Sequence, residues 1–430
     1  MIKKIILLII PLISYSLDNE SINFPPDQSI AARIDKYRKK SIIIVCKDEN
    51  GTPIKSGSIA IIEQQKHDFL FGSNIFKFNK CKTENQNIAY ASYFSEIFNF
   101  ATLPFYWWGE TENPKRIDKP WREEVIKWCH SQSITIKGHP LAWNWEDPSW
   151  LPQEANTAYK LQMDRIEKII HQYKEDIIIW DVINEATAYD RKYPLLNAPV
   201  LTEAIHQKGL KQFIIDGFTI ARESNPLGIY IINDFKTGRK FKTKVLDPLA
   251  MNGKPLFDVI GIQTHMHNGY WGADRVWTLC EKFSEFDTPI HFTEISILSG
   301  IKSGNKWEST VQGEIDQAKQ VKELYSLLFS NPNVEAITWW DFSDQGTWKN
   351  APSGLLKKDM SPKLAYLTLK KLIKTDWWTR DTLTLNESGQ IKLNGFYGEY
   401  NIQIQNNNKI LKGDFEIKKG ETSSIKIELK

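Results

Sequence analysis

Ile177-Ile178-Ile179-Trp180-Asp181-Val182-Ile183-Asn184-Glu185 is the stretch on which the reading of this chain turns. Its first seven residues are mostly β-branched or aromatic, as in a strand buried on both faces of a parallel sheet. The run ends in Asn184-Glu185, and a largely polar stretch from Ala186 to Arg191 follows. A carboxylate at the C-terminal end of a buried parallel strand is where α/β barrels keep their chemistry.

Working outward, apolar strand runs alternate with amphipathic helices on both sides. His67–Gly72, Ser95–Thr102, Ile134–His139, Gly228–Asp234, Val259–His265, Pro289–Glu294 and Ala336–Asp341 read as strands. Between them lie helical stripes such as Trp121, Val125, Trp128, Cys129 and Met163, Ile166, Ile170, Tyr173. With the opening strand this makes eight strand–helix alternations, closed by a helix from Pro362 to about Lys374. That count fits a (β/α)8 TIM barrel better than an open doubly wound sheet. No glycine-rich phosphate loop follows any strand, which argues against nucleotide binding.

After Lys374 the period changes to two. Thr382–Leu385, Gln390–Leu393, Tyr400–Ile404 and Ser424–Leu429 alternate apolar with polar and are punctuated by Gly389, Gly395, Gly413 and Gly420. This predicts a small β-sandwich-like accessory domain, marginal by itself. Near the N-terminus, Ile42–Val45 and Ile59–Ile62 flank Asn50-Gly51, a hairpin-turn signal. That hairpin is expected to pack with the C-terminal strands as one composite sandwich. The chain is therefore divided into 1–16, a leader; 17–66, a linker and hairpin; 67–374, the barrel; and 375–430, the β-domain.

The leader rests on Lys3-Lys4, the apolar run Ile5–Ile13 and Ser14-Tyr15-Ser16: a charged region, a short apolar core and small residues around a cleavage point after Ser16. It implies an exported protein, secreted or periplasmic; an uncleaved anchor is the alternative. Net charge is only +3 among 430 residues, which excludes a case for nucleic acid or an anionic membrane. Cys46, Cys81, Cys129 and Cys280 lack metal-ligand spacing, and Cys129 belongs to a buried stripe. Aromatic content is high, 12% with 16 Trp, and Trp faces pack well on sugar rings.

The strand ends carry the chemistry. His139 ends the third strand with Trp143 beyond it, Asn184-Glu185 end the fourth, Gln263 and His265 the sixth, Glu294 the seventh and Trp340 the eighth. In a barrel these converge on one mouth. Two Glu on different strands flanking a cleft is the arrangement of glycoside hydrolysis, one carboxyl protonating the leaving oxygen and the other attacking the anomeric carbon. A satisfied core pair is the plainer alternative for Gln263 and His265.

Gly-His-Pro-Leu-Ala-Trp (138–143), Trp-Asp-Val-Ile-Asn-Glu (180–185), Gly-Ile-Gln-Thr-His (261–265), Thr-Glu-Ile (293–295) and Thr-Trp-Trp-Asp-Phe-Ser-Asp-Gln-Gly-Thr-Trp (338–348) resemble glycoside hydrolase family 10, the endo-β-1,4-xylanases. The resemblance covers roughly residues 67 to 374. It implies a retaining endo-glycanase with Glu185 as acid/base and Glu294 as nucleophile. It implies further that Asn184 binds the sugar 2-OH, that His265 orients Glu294, that Gln263, His139 and Trp143 line the cleavage point, and that Trp340 and Trp348 stack on sugar. The family's Glu-Asn…Lys-Trp motif on the second strand is absent; Phe105-Tyr106-Trp107-Trp108 stands there, and Ser296 is a neutral residue where the family has Asp.

The expected activity is thus a secreted endo-1,4-β-xylanase. A hydrolase of another β-glycan and a non-catalytic carbohydrate-binding protein are the alternatives. No metal and no organic cofactor are implied, since two carboxylates and water complete the reaction. The expected partner is a polysaccharide, with no nucleic acid, no membrane after leader removal, and a monomeric state. Trp377, Trp378 or Tyr397 would serve if the small β-domain itself bound polysaccharide.

Overall fold

The computed structural model describes residues 29–109, 118–250, 255–304, 306–406 and 409–429. The expected leader, and most of the expected linker, lie outside these residues.

A helix at Ile30–Arg38 leads into β1 (Lys39–Lys47) and β2 (Ile59–His67). The barrel strands follow: β3 (Leu70–Asn74), β4 (Phe100–Pro104), β5 (Thr135–His139), β6 (Ile179–Asn184), β7 (Ile229–Asp234), β8 (Val259–His265) and β9 (Ile290–Ser296). A short hairpin, β10 (Gly300–Ser303) and β11 (Lys306–Ser309), precedes the last barrel strand β12 (Val334–Trp339). The C-terminal strands are β13 (Arg380–Thr384), β14 (Gln390–Phe396), β15 (Gly398–Asn406), β16 (Lys409–Ile417) and β17 (Ser424–Glu428).

β3 to β9 pair in parallel in chain order, and β12 closes the ring between β9 and β3. This is the (β/α)8 barrel. Its strands are apolar toward the surrounding helices, and Phe100, Ile179, Ile231, Val259 and Ala336 fill the barrel near the N-terminal ends of its strands. Register shifts interrupt three strand pairs near their C-terminal ends: Asp181/Ile183 between β6 and β7, Ile262/Gln263 between β8 and β9, and Ile337/Trp339 between β9 and β12. Such irregularities re-aim side chains, and here each adjoins a residue of the mouth. Gly138 lets β5 lie against the Trp180 ring; a β-carbon there would stand 2.1 Å from it. No helix of the described residues is long and apolar enough to cross a membrane.

The accessory part is two sheets, β14-β1-β17 and β13-β2-β15-β16. Ile42, Ile44 and Cys46 of one and Ala60, Ile62, Tyr400, Ile402 and Ile404 of the other share one apolar core. The N- and C-terminal strands therefore form a sandwich together.

Four sequence expectations fail locally. β1 and β2 do not pair as a hairpin. Asp48 caps the turn, its Oδ1 accepting from the Asn50 and Thr52 amides at 3.0 and 2.8 Å, but the chain then crosses to the opposite sheet. The expected second strand begins too early: Ile97 ends a helix from Glu84, capped by the Thr83 side chain, with Tyr90 and Phe94 on its buried face. The helix at Ile30–Arg38 stands where a linker was expected. It buries Arg33 and Arg38 beside Ile34, a face with no apolar stripe to read. Arg38 donates to the carbonyls of Phe329 (2.6 Å) and Val334 (2.7 Å), tying that helix to the barrel. Trp377 is buried against Phe329, with ring centroids 4.4 Å apart, so it offers no face to a polysaccharide.

Candidate active site

The mouth of the barrel holds a cleft of ≈ 710 Å³ lined by His139, Trp143, Asn184, Glu185, Gln263, His265, Glu294, Trp340 and Trp348. Every candidate site residue read from the sequence is thus brought to one place. A cavity of ≈ 670 Å³ lies at the other end of the barrel, toward the accessory sheets. That end of a barrel is the stability face, so the mouth is where the chemistry is sought.

Glu185 follows directly on β6. Its backbone is left-handed (φ 56°, ψ 39°), rare for a residue with a side chain. The amide is held by the Asn233 carbonyl of β7 at 2.8 Å. The buried carboxyl accepts from Arg191 Nη2 at 2.6 Å through Oε2, and from Gln263 Nε2 at 3.4 Å through Oε1. Burial pushes its pKa up to about 8; Arg191 opposes the rise, while the charges of Glu294 and Asp234 add to it.

Glu294 lies within β9 and is also buried. His265 Nε2 stands 2.9 Å from its Oε2, and Asn233 Nδ2 donates to its Oε1 at 3.1 Å. His265 is held in turn by the Ser296 hydroxyl, 2.9 Å from Nδ1. The serine thus occupies the supporting position as a neutral partner.

A chain of amides joins the two carboxyls. Asn184 Oδ1 accepts from both Asn233 Nδ2 (2.9 Å) and Gln263 Nε2 (3.2 Å). That fixes the Asn184 amide with Nδ2 as its free end, a buried donor without a partner among the described residues. A buried unsatisfied donor is costly, and in a cleft it is a place for a ligand hydroxyl. Thr293 Oγ1 fixes Asn233 by donating to its Oδ1 at 2.6 Å.

His139 is placed by a buried triad. Asp181 Oδ2 stands 2.6 Å from His139 Nδ1 and 2.7 Å from Lys137 Nζ. Burial alone would raise the Asp181 pKa; Lys137 and His139 outweigh it and hold the carboxyl below its usual range. The other ring nitrogen of His139 is 3.9 Å from Glu294 Oε1. Asp341, on the loop after β12, accepts from the Trp348 amide and the Ser353 hydroxyl, and burial raises it to about 6.

Aromatic faces form the walls. Tyr106 and Trp108 stack at 4.6 Å; Trp108 and Trp143 meet at 5.6 Å, Trp143 and Trp145 at 4.8 Å, and Trp145 stacks on Tyr193 at 4.1 Å. Trp340 is buried with its ring near His139 and His265, and the more exposed Trp348 lies 4.5 Å from the His265 ring.

Sequence reasoning missed Asn233, Arg191, Trp145, Tyr193 and the Lys137–Asp181 pair. Asn233 had a signal: it sits at the C-terminal end of β7 as Asn184 does on β6. Arg191 and Tyr193 lie beyond β6 in the polar stretch and its continuation, where no periodicity points.

The profile of glycosyl hydrolase family 10 matches residues 64–372. An endo-1,4-beta-xylanase/feruloyl esterase of Xylanibacter ruminicola is 24% identical over 315 residues, 66% of this chain and 42% of that protein. An anti-sigma-I factor of Acetivibrio thermocellus is 23% identical over 384 residues, 86% of this chain and 46% of that protein. The chain spans less than half the length of these curated relatives. Among solved structures, xylanase 10B from Thermotoga maritima shares the fold with a TM-score of 0.60 at 21% identity, over 72% of this chain and 96% of that one.

Proposed function

The chain belongs to glycosyl hydrolase family 10, and on that premise we propose that it is a retaining endo-β-1,4-glycanase that cleaves xylan. The observation that carries the reading is the contrast between two buried carboxyls joined by one amide network. Glu185 is pushed up to about 8 and so keeps a proton at neutral pH. Glu294 is gripped by His265 and Asn233.

In the first step Glu185 gives its proton to the glycosidic oxygen as Glu294 Oε attacks the anomeric carbon. The C–O bond breaks and a glycosyl ester of Glu294 remains. Esterification removes the Glu294 charge, one of the influences that raise Glu185, so the Glu185 pKa falls and its carboxylate form is populated when a base is needed. Glu185 then takes a proton from water, the water oxygen attacks the same carbon, and Glu294 is freed. Asn184 Nδ2 donates to the sugar 2-OH, His139 faces the ring at the cleavage point, and Gln263 holds Glu185. Trp143, Trp340 and Trp348 supply stacking faces.

A second reading, hydrolysis of a different β-glycan, is favoured by the Tyr106–Trp108 stack, which stands where the family's polar second-strand motif would be. Release of reducing sugar from xylans, β-glucans and mannans separates the two, with Glu185→Gln and Glu294→Gln as controls. Activity on xylan lost in both variants is expected. Activity on a β-glucan alone would favour the second reading, and binding without turnover on any polymer would overturn both. An exported location belongs to the same proposal, supported by the charged–apolar–small pattern of residues 1–16; an exported protein that begins after Ser16 is the expected product.

A further inference from the structure

Arg191 is the cation closest to the proposed chemistry. Its guanidinium lies between two aromatic rings, 5.1 Å from the centroids of both Trp145 and Phe235. Nη2 is bonded to Glu185 at 2.6 Å. Guanidinium carries five N–H donors in a planar fork. Among the described residues no other donor of Arg191 is shown in use, and the side chain is 27% exposed. Lys349 lines the same cleft, its ammonium 4.1 Å from the Trp348 ring. The anions of the cleft are of a different kind. Glu185, Glu294 and Asp341 are all buried and already hold hydrogen bonds. The solvent-exposed charge of the cleft is therefore positive, and its most preorganised part is a fork geometrically matched to a carboxylate.

We propose that the cleft reads a carboxylate on its glycan: Arg191, with Lys349, binds a uronic acid substituent, so that the preferred substrate is an acidic β-glycan. The proposal rests on the glycanase reading above and narrows its substrate class. The N–H donors of Arg191 that Glu185 leaves free take the substituent while Nη2 keeps Glu185, so the two carboxyls share one guanidinium. The Trp145 and Phe235 rings pack against it, each centroid 5.1 Å from the guanidinium carbon.

The test uses the full chain carrying Glu294→Gln, which cannot turn over. Its affinity is measured by calorimetry for a glucuronic acid-substituted xylo-oligosaccharide and for the same oligosaccharide with the carboxyl reduced to an alcohol. Reduction is expected to weaken binding about tenfold or more, the scale of a charge-assisted hydrogen bond in a partly exposed site. Added Arg191→Gln is expected to close that gap. Arg191→Lys, which keeps the charge and loses the fork, is expected to leave an intermediate one. Rising ionic strength should weaken the acidic ligand more than the reduced one. Equal affinity for the two ligands overturns the inference and leaves the xylanase reading standing. Binding of neither overturns both. A gap that persists unchanged in Arg191→Gln, in a protein whose melting temperature is unaltered, removes Arg191 from the role.

Discussion

The two carboxyls of the mouth are the same residue type held in opposite ways. Glu294 sits inside β9 and is gripped by donors from neighbouring strands, His265 of β8 and Asn233 of β7. Glu185 sits just past the end of β6, in a left-handed backbone, with Arg191 of the following loop and the longer contact from Gln263. Strands fix the position of the first. Burial and one loop cation set the proton affinity of the second. On the roles proposed above, a nucleophile needs aim, whereas an acid needs a proton at working pH, and the difference in scaffolding matches those two needs.

The largest effect should separate the two by leaving group. Both Glu185→Gln and Glu294→Gln are expected to lose on the order of 10⁴-fold or more in kcat on an unactivated glycan. On an aryl glycoside whose leaving group departs without a proton, Glu185→Gln should recover most of the first step and then stall at the ester. Glu294→Gln should recover nothing. A burst of released phenol in the first variant only is the expected trace; a burst in the second would interchange the assignments. Product analysis by NMR within the first minutes of wild-type turnover should show the β-anomer, as retention requires.

The next effect concerns stability against pH. The Glu185 pKa in the folded protein is about 8, against roughly 4.3 in an unfolded chain. Between those values the native state binds more protons than the unfolded one, so stability falls as pH rises through that window. The contribution is present in full below about pH 4 and is lost by about pH 8. Gln at 185 does not titrate. The melting temperature of Glu185→Gln relative to wild type should therefore climb from pH 5 to pH 8, by an amount equivalent to on the order of a few kcal/mol. A difference that stays flat across that range would mean that Arg191 holds Glu185 ionised and that burial does not dominate.

How much of this was legible in the sequence follows from the same physics. The barrel could be read because parallel strands covered on both faces are runs of Val, Ile and aromatic residues, as β6 and β8 are. The site could be read because a barrel brings strand ends together: His139, Glu185, Gln263, His265 and Glu294 each lie in the last three residues of a strand or just after it, and all line one cleft. What escaped depends on contacts that leave no period. The helix at Ile30–Arg38 docks through two arginines, and β1 and β2 part at a turn that looked like a hairpin. The apolar residues Ile97 and Phe98 fit a strand as well as the last turn of a helix, and the Thr83 cap was the clue that decided it. Arg191 is one charged residue in a polar loop until the fold lays it between Trp145 and Phe235.

The smallest effect tests the aim of Glu294 without touching either carboxyl. Gly261 of β8 lies against Asn233, the amide that joins Asn184 to Glu294. A β-carbon there would stand 2.6 Å from Asn233 Oδ1 and 2.8 Å from Ile231 Cγ2. Both are inside van der Waals contact: Asn233 is pinned, its Oδ1 held by Thr293 and its Nδ2 by Asn184 and Glu294, and Ile231 is fully buried in the apolar cluster inside the barrel. Gly261→Ala should then destabilise the fold by about 1–3 kcal/mol, the range for one group too many in a packed interior. It should also lower kcat more than it raises KM, because a displaced Asn233 loosens the nucleophile while the aromatic walls of the cleft stay in place. Asn233→Ala combined with Gly261→Ala supplies the check. Removing the amide relieves the clash, so the double variant should be more stable than the sum of the two single losses and no more active than Asn233→Ala alone. Strict additivity in stability would mean that the strand shifts as a whole and that Asn233 does not carry the coupling.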